Sequence, residues 1–229
     1  NGSTTSAVTA KVFLDTSAHP NNANFDVATQ HINLGFDGVL SGTPQIADFA
    51  NLQVGGVTAM LGSVNTSSNQ LILALASSAF SDAVVSFDYT ANTYSANRVT
   101  SSQAGVAMGD ASFLIDANNS HNTALVGNAT HSNVIVGNGG HDTMTGGSQA
   151  DLFVFGAGTT GTSTITNFSL SQFDHIDLSG LLSAYTAGHE ANYLKASNVG
   201  AGGGDLQIQI DKDGLGNFTT GVDATLVLS

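Results

Sequence analysis

Four apolar residues recur every nine positions: Val126, Ile135, Met144 and Phe153. The residues between them keep the same period. Residues 137–145 read GNGGHDTMT and residues 146–154 read GGSQADLFV. Each follows G-G-x-G-x-D-x-U-x, where U is apolar, apart from Asn138 at the second place of one and Gln149 at the fourth place of the other. Residues 128–136 (NATHSNVIV) are a decayed copy with Asn133 at the aspartate place. The glycines permit a tight turn with inward carbonyls, the aspartate supplies charge, and the apolar eighth residue closes a short strand. The other reading of such a stretch is a glycine-rich loop. Upstream of Val126 the register breaks, so about three repeats are legible.

This nonapeptide resembles the calcium-binding repeat of the parallel β-roll. The resemblance implies calcium, a hard ion that takes six to eight oxygens from carboxylates and carbonyls. In a β-roll one rung spans two nonapeptides, so loops eighteen residues apart stack. Asn133 and Asp151 have that separation. They are expected to share one ion with the oxygens of their loops, around Asn128 and Thr130 on one rung and Gly146 and Ser148 on the next. Asp142 lies on the other side, and the residues eighteen away, Ala124 and Thr160, carry no carboxylate. A site around Gly137, Gly139 and Asp142 is therefore expected to be weaker or completed by other groups. His121, His131 and His141 are spaced by ten, not nine, so they fall at successive repeat places and read as loop residues rather than a metal cluster.

Composition narrows the function. The 229 residues carry a net charge of −13 from 17 acidic and four basic side chains. That balance excludes nucleic acid and anionic membrane surfaces as partners. With no cysteine there is neither a disulfide framework nor thiol chemistry. The apolar run around Leu71–Ala76 is too short for membrane insertion. Glu190 is the only glutamate, and no G-x-S-x-G or H-E-x-x-H motif is present. The expectation is a protein that is not an enzyme. The N-terminal NGSTTSAVTA does not read as a signal peptide and is expected to continue a longer chain.

Residues 1–104 are expected to form an antiparallel β-sandwich. Strands are read at 31–36, 49–54, 70–75 and 83–89, with turn signals at 37–38, 41–44, 55–56 and 65–69. The run INLGFDG, FANLQV, LILAL and VVSFDYT is similar to bacterial Ig-like modules of the swimming-protein-repeat type, which implies a spacer or assembly unit. Residues 101–124 read as a connector entering the first rung around Phe113–Ile115, or as a flexible linker.

Residues 105–229 are expected to hold the short roll and a β-rich tail. ADLFVF (150–155), ITNF (165–168), DHIDLSGLL (174–182) and DKDGLGNF (211–218) follow in order. The series resembles the C-terminal domain of type I-secreted RTX proteins and implies export through an ABC-transporter channel. The family pattern runs on past a further L-x-G motif, whereas this sequence ends at Ser229. Read by residue alone, 177–182 suits a short capped helix, and 193–199 with 206–210 a hairpin. Asp211, Asp213 and Asn217 could gather oxygens around a further calcium, or could serve a β-turn with Gly214 and Gly216.

The chain is thus expected to be all-β, secreted and calcium-binding: an adhesin, S-layer or filament subunit at a bacterial surface. Self-association, other surface proteins and the secretion machinery are the expected partners. Two other readings stand beside it, the export tail of an enzyme lying upstream and a ligand-binding adhesin tip.

Overall fold

The computed structural model describes residues 18–77, 80, 84–102, 107–116, 122–200, 204–219 and 222–229. In chain order the strands are β1 (Asn22–Asp26), β2 (His31–Gly35), β3 (Leu40–Ser41), β4 (Phe49–Val54), β5 (Val57–Thr58), β6 (Leu61–Ser67), β7 (Gln70–Leu75), β8 (Val85–Tyr89), β9 (Thr100–Ser101), β10 (Ala111–Ile115), β11 (Ala124–Val126), β12 (Asn133–Gly137), β13 (Thr143–Thr145), β14 (Leu152–Phe155), β15 (Gly161–Ile165), β16 (His175–Asp177), β17 (Leu194–Val199), β18 (Asp205–Ile210) and β19 (Ala224–Leu228). Among the described residues the one α-helix is Glu190–Tyr193. The all-β class read from the sequence is the class observed.

Three sheets stack around two cores. The first is antiparallel, in the order β1-β2-β7-β6. Its strands alternate, so Ile32 and Leu34 on β2 and Leu71 and Leu73 on β7 point to one buried face, with Leu34 opposite Leu71 and Ile32 opposite Leu73. The second sheet has the order β16-β14-β12-β10-β8-β4-β5 and is the middle layer. The third has the order β11-β13-β15-β19-β18-β17. A two-stranded pair, β3-β9, completes the set.

From β10 to β16 the chain alternates between the second and third sheets, and β17, β18 and β19 then all join the third. Strands β10, β12, β14 and β16 lie parallel on one side, and β11, β13, β15 and β19 lie parallel on the other. Glycine-bearing turns such as 137–142 switch the chain across. The middle sheet also runs over the expected boundary at residue 104. Strand β8 pairs antiparallel with β10 over five residues, and β10 pairs parallel with β12.

Both faces of this middle sheet are covered. Val134, Val136 and Val154 point into the core shared with β2 and β7. Ile135, Phe153 and Phe155, their alternate neighbours, point into the core shared with the third sheet, beside Leu125, Met144 and Ile165. Strand β12 is buried along its whole length. Its sequence, NVIVG, is the continuous apolar kind that a strand covered on both faces requires.

Three local expectations are corrected. Val126 does not join the inward column; it is exposed, and Leu125 is fully buried opposite Met144. A slip of one residue turns every strand side chain to the other face. Asp177 ends β16, and residues 178–182 form a turn, not a helix. Leu182 N–H reaches Leu178 O at 2.8 Å and Ser179 N–H reaches Asp177 Oδ1 at 2.7 Å, but the winding stops there. The turn expected over 65–69 narrows to Ser68 and Asn69, because β6 continues to Ser67.

Candidate metal centres

Asn133 and Asp151 do stack. Val134 pairs with Leu152, which sets the two residues side by side where β12 and β14 begin. Both are almost wholly buried. The Asp151 carboxylate accepts the Asn133 backbone N–H at 2.9 Å and the Asn133 Nδ2 at 2.7 Å through Oδ1, and the Gly147 N–H at 2.5 Å through Oδ2. Asn133 Nδ2 also donates to the carbonyls of Asn128 and His131, each at 3.0 Å, while its Oδ1 accepts the Asn128 N–H at 2.7 Å. The oxygens expected to hold an ion here therefore converge on an amide nitrogen. The neutral side chain of Asn133 donates to the buried carboxylate.

The glycines of these loops are places of close approach. A Cβ on Gly146 would stand 2.1 Å from Asp151 Oδ2, and one on Gly147 would stand 2.4 Å from the Asn128 carbonyl. Thr130 and Ser148 lie outside the convergence. Thr130 donates its N–H to Asn128 Oδ1 at 3.0 Å, closing a local turn, and Ser148 donates its hydroxyl to Ala129 O at 2.8 Å. Beyond Asp151 the column continues to a residue the sequence reading passed over. Asp174 accepts the Asp151 N–H at 3.0 Å and the Ser169 N–H at 2.9 Å, and burial raises its carboxyl above the usual range.

On the opposite side, the loop 137–142 is built differently. Gly139 and Gly140 take φ of 153° and 80°, a turn open to glycine. Asp142 has 1% of its surface exposed. Its Oδ1 accepts the Thr123 N–H at 3.0 Å, but its buried Oδ2 has no hydrogen-bond partner among the described residues. Asp116, also 1% exposed, has its carboxyl beside that of Asp142 and accepts the Thr123 hydroxyl at 2.9 Å. Burial, with Asp116 adding to it, pushes the Asp142 carboxyl up to about 6. Gly137 lies against this pair; a Cβ there would meet Asp142 Oδ2 at 3.0 Å and the Met144 methyl at 2.2 Å. Asn138, the departure from the repeat's second glycine, donates its amide to the carbonyls of Ala23 and Asp116. It fastens β1 to the end of β10.

In the tail loop, Asp211 is fully buried and accepts the Asp213 N–H at 3.2 Å and the Asn217 N–H at 3.0 Å. Burial works against its charge, but the hydrogen bond with the Asp213 carboxyl, followed by those from the backbone N–H groups, outweighs burial and holds the Asp211 carboxyl below the usual range. Asp213 accepts the Leu215 N–H at 2.9 Å, and Gly214 and Gly216 have φ of 68° and 72°. The aspartates accept the backbone N–H groups of a turn. Asp223 Oδ2, unmarked in the sequence, accepts the Lys212 N–H at 2.7 Å beside this loop.

The histidines do not gather. His131 Nδ1 sits 3.0 Å from the Ser112 hydroxyl, and His141 Nδ1 sits 3.1 Å from Thr162 O; His121 is outside the described residues. His19 Nε2 lies 3.3 Å from Asp177 Oδ2, a contact between the start of the described chain and β16. Among the described residues no group of three or more His, Asp or Glu is disposed to hold a metal by side chains alone. Any cation here would draw on carbonyl oxygens as well. Comparison with known proteins returns no matching family model, no matching curated protein and no matching solved structure.

Proposed function

We propose that this chain is a secreted, calcium-binding structural protein of a bacterial surface, of the RTX kind, whose folding is coupled to calcium outside the cell. The observation that carries the reading is Asp142, a carboxylate withdrawn from water with one oxygen unpaired. A buried charge without a partner is costly, and a hard cation supplies the missing partner. Asp142 would contribute to holding the ion, with Asp116 beside it and the loop of Gly137 and Gly139 wrapped close. The ion supplies charge neutralisation between stacked loops and nothing catalytic.

The remaining features support the same reading. A net charge of −13 repels itself when the chain is compacted without counter-charge, which keeps it extended where calcium is scarce. Millimolar calcium outside the cell suits the weak affinities of extracellular sites. An ion that binds the folded form alone adds its binding free energy to stability, about 2.7 kcal/mol at a hundredfold excess over Kd. Melting of the full chain, followed by circular dichroism, is expected to shift upward by several degrees between chelator and millimolar calcium. Identical curves in the two buffers would overturn the proposal.

A further inference from the structure

We infer that Asp116 is the second carboxylate of a divalent-cation site centred on Asp142, which places the site on the side of the coil that the repeat spacing marks as the poorer one. The inference rests on the calcium reading for the identity of the ion, and on the geometry for its place.

Asp116 stands outside the nonapeptide register. It directly follows β10, and because Ile115 pairs with Val136, Asp116 falls opposite Gly137, the first residue of the next loop. Repeat spacing would ask for the second carboxylate at the strand start aligned with Asp142. That place holds Thr123, since Ala124 pairs with Thr143. Thr123 serves instead as a bridge. Its N–H goes to Asp142 and its hydroxyl to Asp116, so one residue fixes both carboxyls. The charge missing from the strand start thus enters from the end of the neighbouring strand.

Two adjacent buried carboxylates repel each other, and water cannot relieve them. The Asp142 Oδ2 atom, buried and unpaired, marks where a positive partner is wanted. The contrast with the other side is chemical. There the corresponding oxygens accept from Asn133 Nδ2 and Gly147 N–H, so each oxygen of Asp151 has a donor. A calcium ion meets a carboxylate already hydrogen-bonded to an amide on one side, and the unpaired Asp142 Oδ2 with a second carboxylate beside it on the other.

The test is calorimetric titration of the full chain with calcium chloride, beside melting of the same samples in chelator. Asp142→Asn and Asp116→Asn are each expected to weaken calcium binding at least tenfold. In chelator, Asp116→Asn is expected to melt no lower than the parent, because it removes one of two neighbouring charges. A merely structural carboxylate would lower melting in both buffers. An Asp116→Asn protein that binds calcium as the parent does would overturn the role of Asp116 and leave the calcium reading standing. A parent chain that binds no calcium would overturn both.

Discussion

At the scale of single residues, the repeat places are not interchangeable, although the pattern treats them alike. The second place of one loop is Gly147, where a Cβ would collide with the Asn128 carbonyl at 2.4 Å. The second place of the preceding loop is Asn138, whose buried amide serves the carbonyls of Ala23 and Asp116. Restoring the pattern with Asn138→Gly leaves both carbonyls without that donor. Stability is expected to fall by about 1–3 kcal/mol, the cost of stranding buried acceptors. Urea unfolding of the two proteins measures it, and an unchanged midpoint would show that the amide fastens nothing. Spacing made part of the site legible in advance. Asn133 and Asp151 are eighteen apart and meet as that number requires. Asp116 and Asp174 were not legible, because neither stands at a multiple of nine from its neighbour.

Among the elements, legibility followed burial. The strands 31–35 and 70–75 were readable because apolar and polar side chains alternate along a sheet with one covered face. Strand β6, LGSVNTS, has no fully buried residue, and nothing in its sequence separates it from a turn. The coil hid its register for another reason. Ile135 meets Phe153 eighteen residues on, but Leu125 meets Met144 after nineteen and Met144 meets Ile165 after twenty-one. The odd residue before β13 turned Val126 outward and Leu125 inward. Leu125→Ala is therefore expected to cost about 2–5 kcal/mol, as truncation of a packed core leucine does. Val126→Thr, at an exposed position, is expected to stay within about 0.5 kcal/mol. Parallel thermal melts distinguish the two registers, and the reverse ranking would restore the strict period of nine.

The whole molecule is joined through its middle sheet, and that joins the loops to strands far from them. Val134 and Val136 fill the core beneath β2 and β7, while Ile135 between them fills the core beneath the third sheet. Phe87 on β8 stacks on Phe113 of β10 with ring centres 4.7 Å apart, so the contact between the two regions is aromatic as well as hydrogen-bonded. If β12 loosens when the loop that follows it lacks its ion, the first core loses two valines and β10, the partner of β8, loses its other neighbour. An ion bound in the loop 137–142 is then expected to protect amides in β7, which lies in the first sheet. Hydrogen exchange read by mass spectrometry, in chelator and in calcium, checks this by comparing peptides covering 70–75 and 133–137. Protection is expected to rise in both, since exchange from a shared core proceeds through openings that expose both regions. Slower exchange at 133–137 alone would mean that the two regions open independently and that the shared sheet carries no coupling between them.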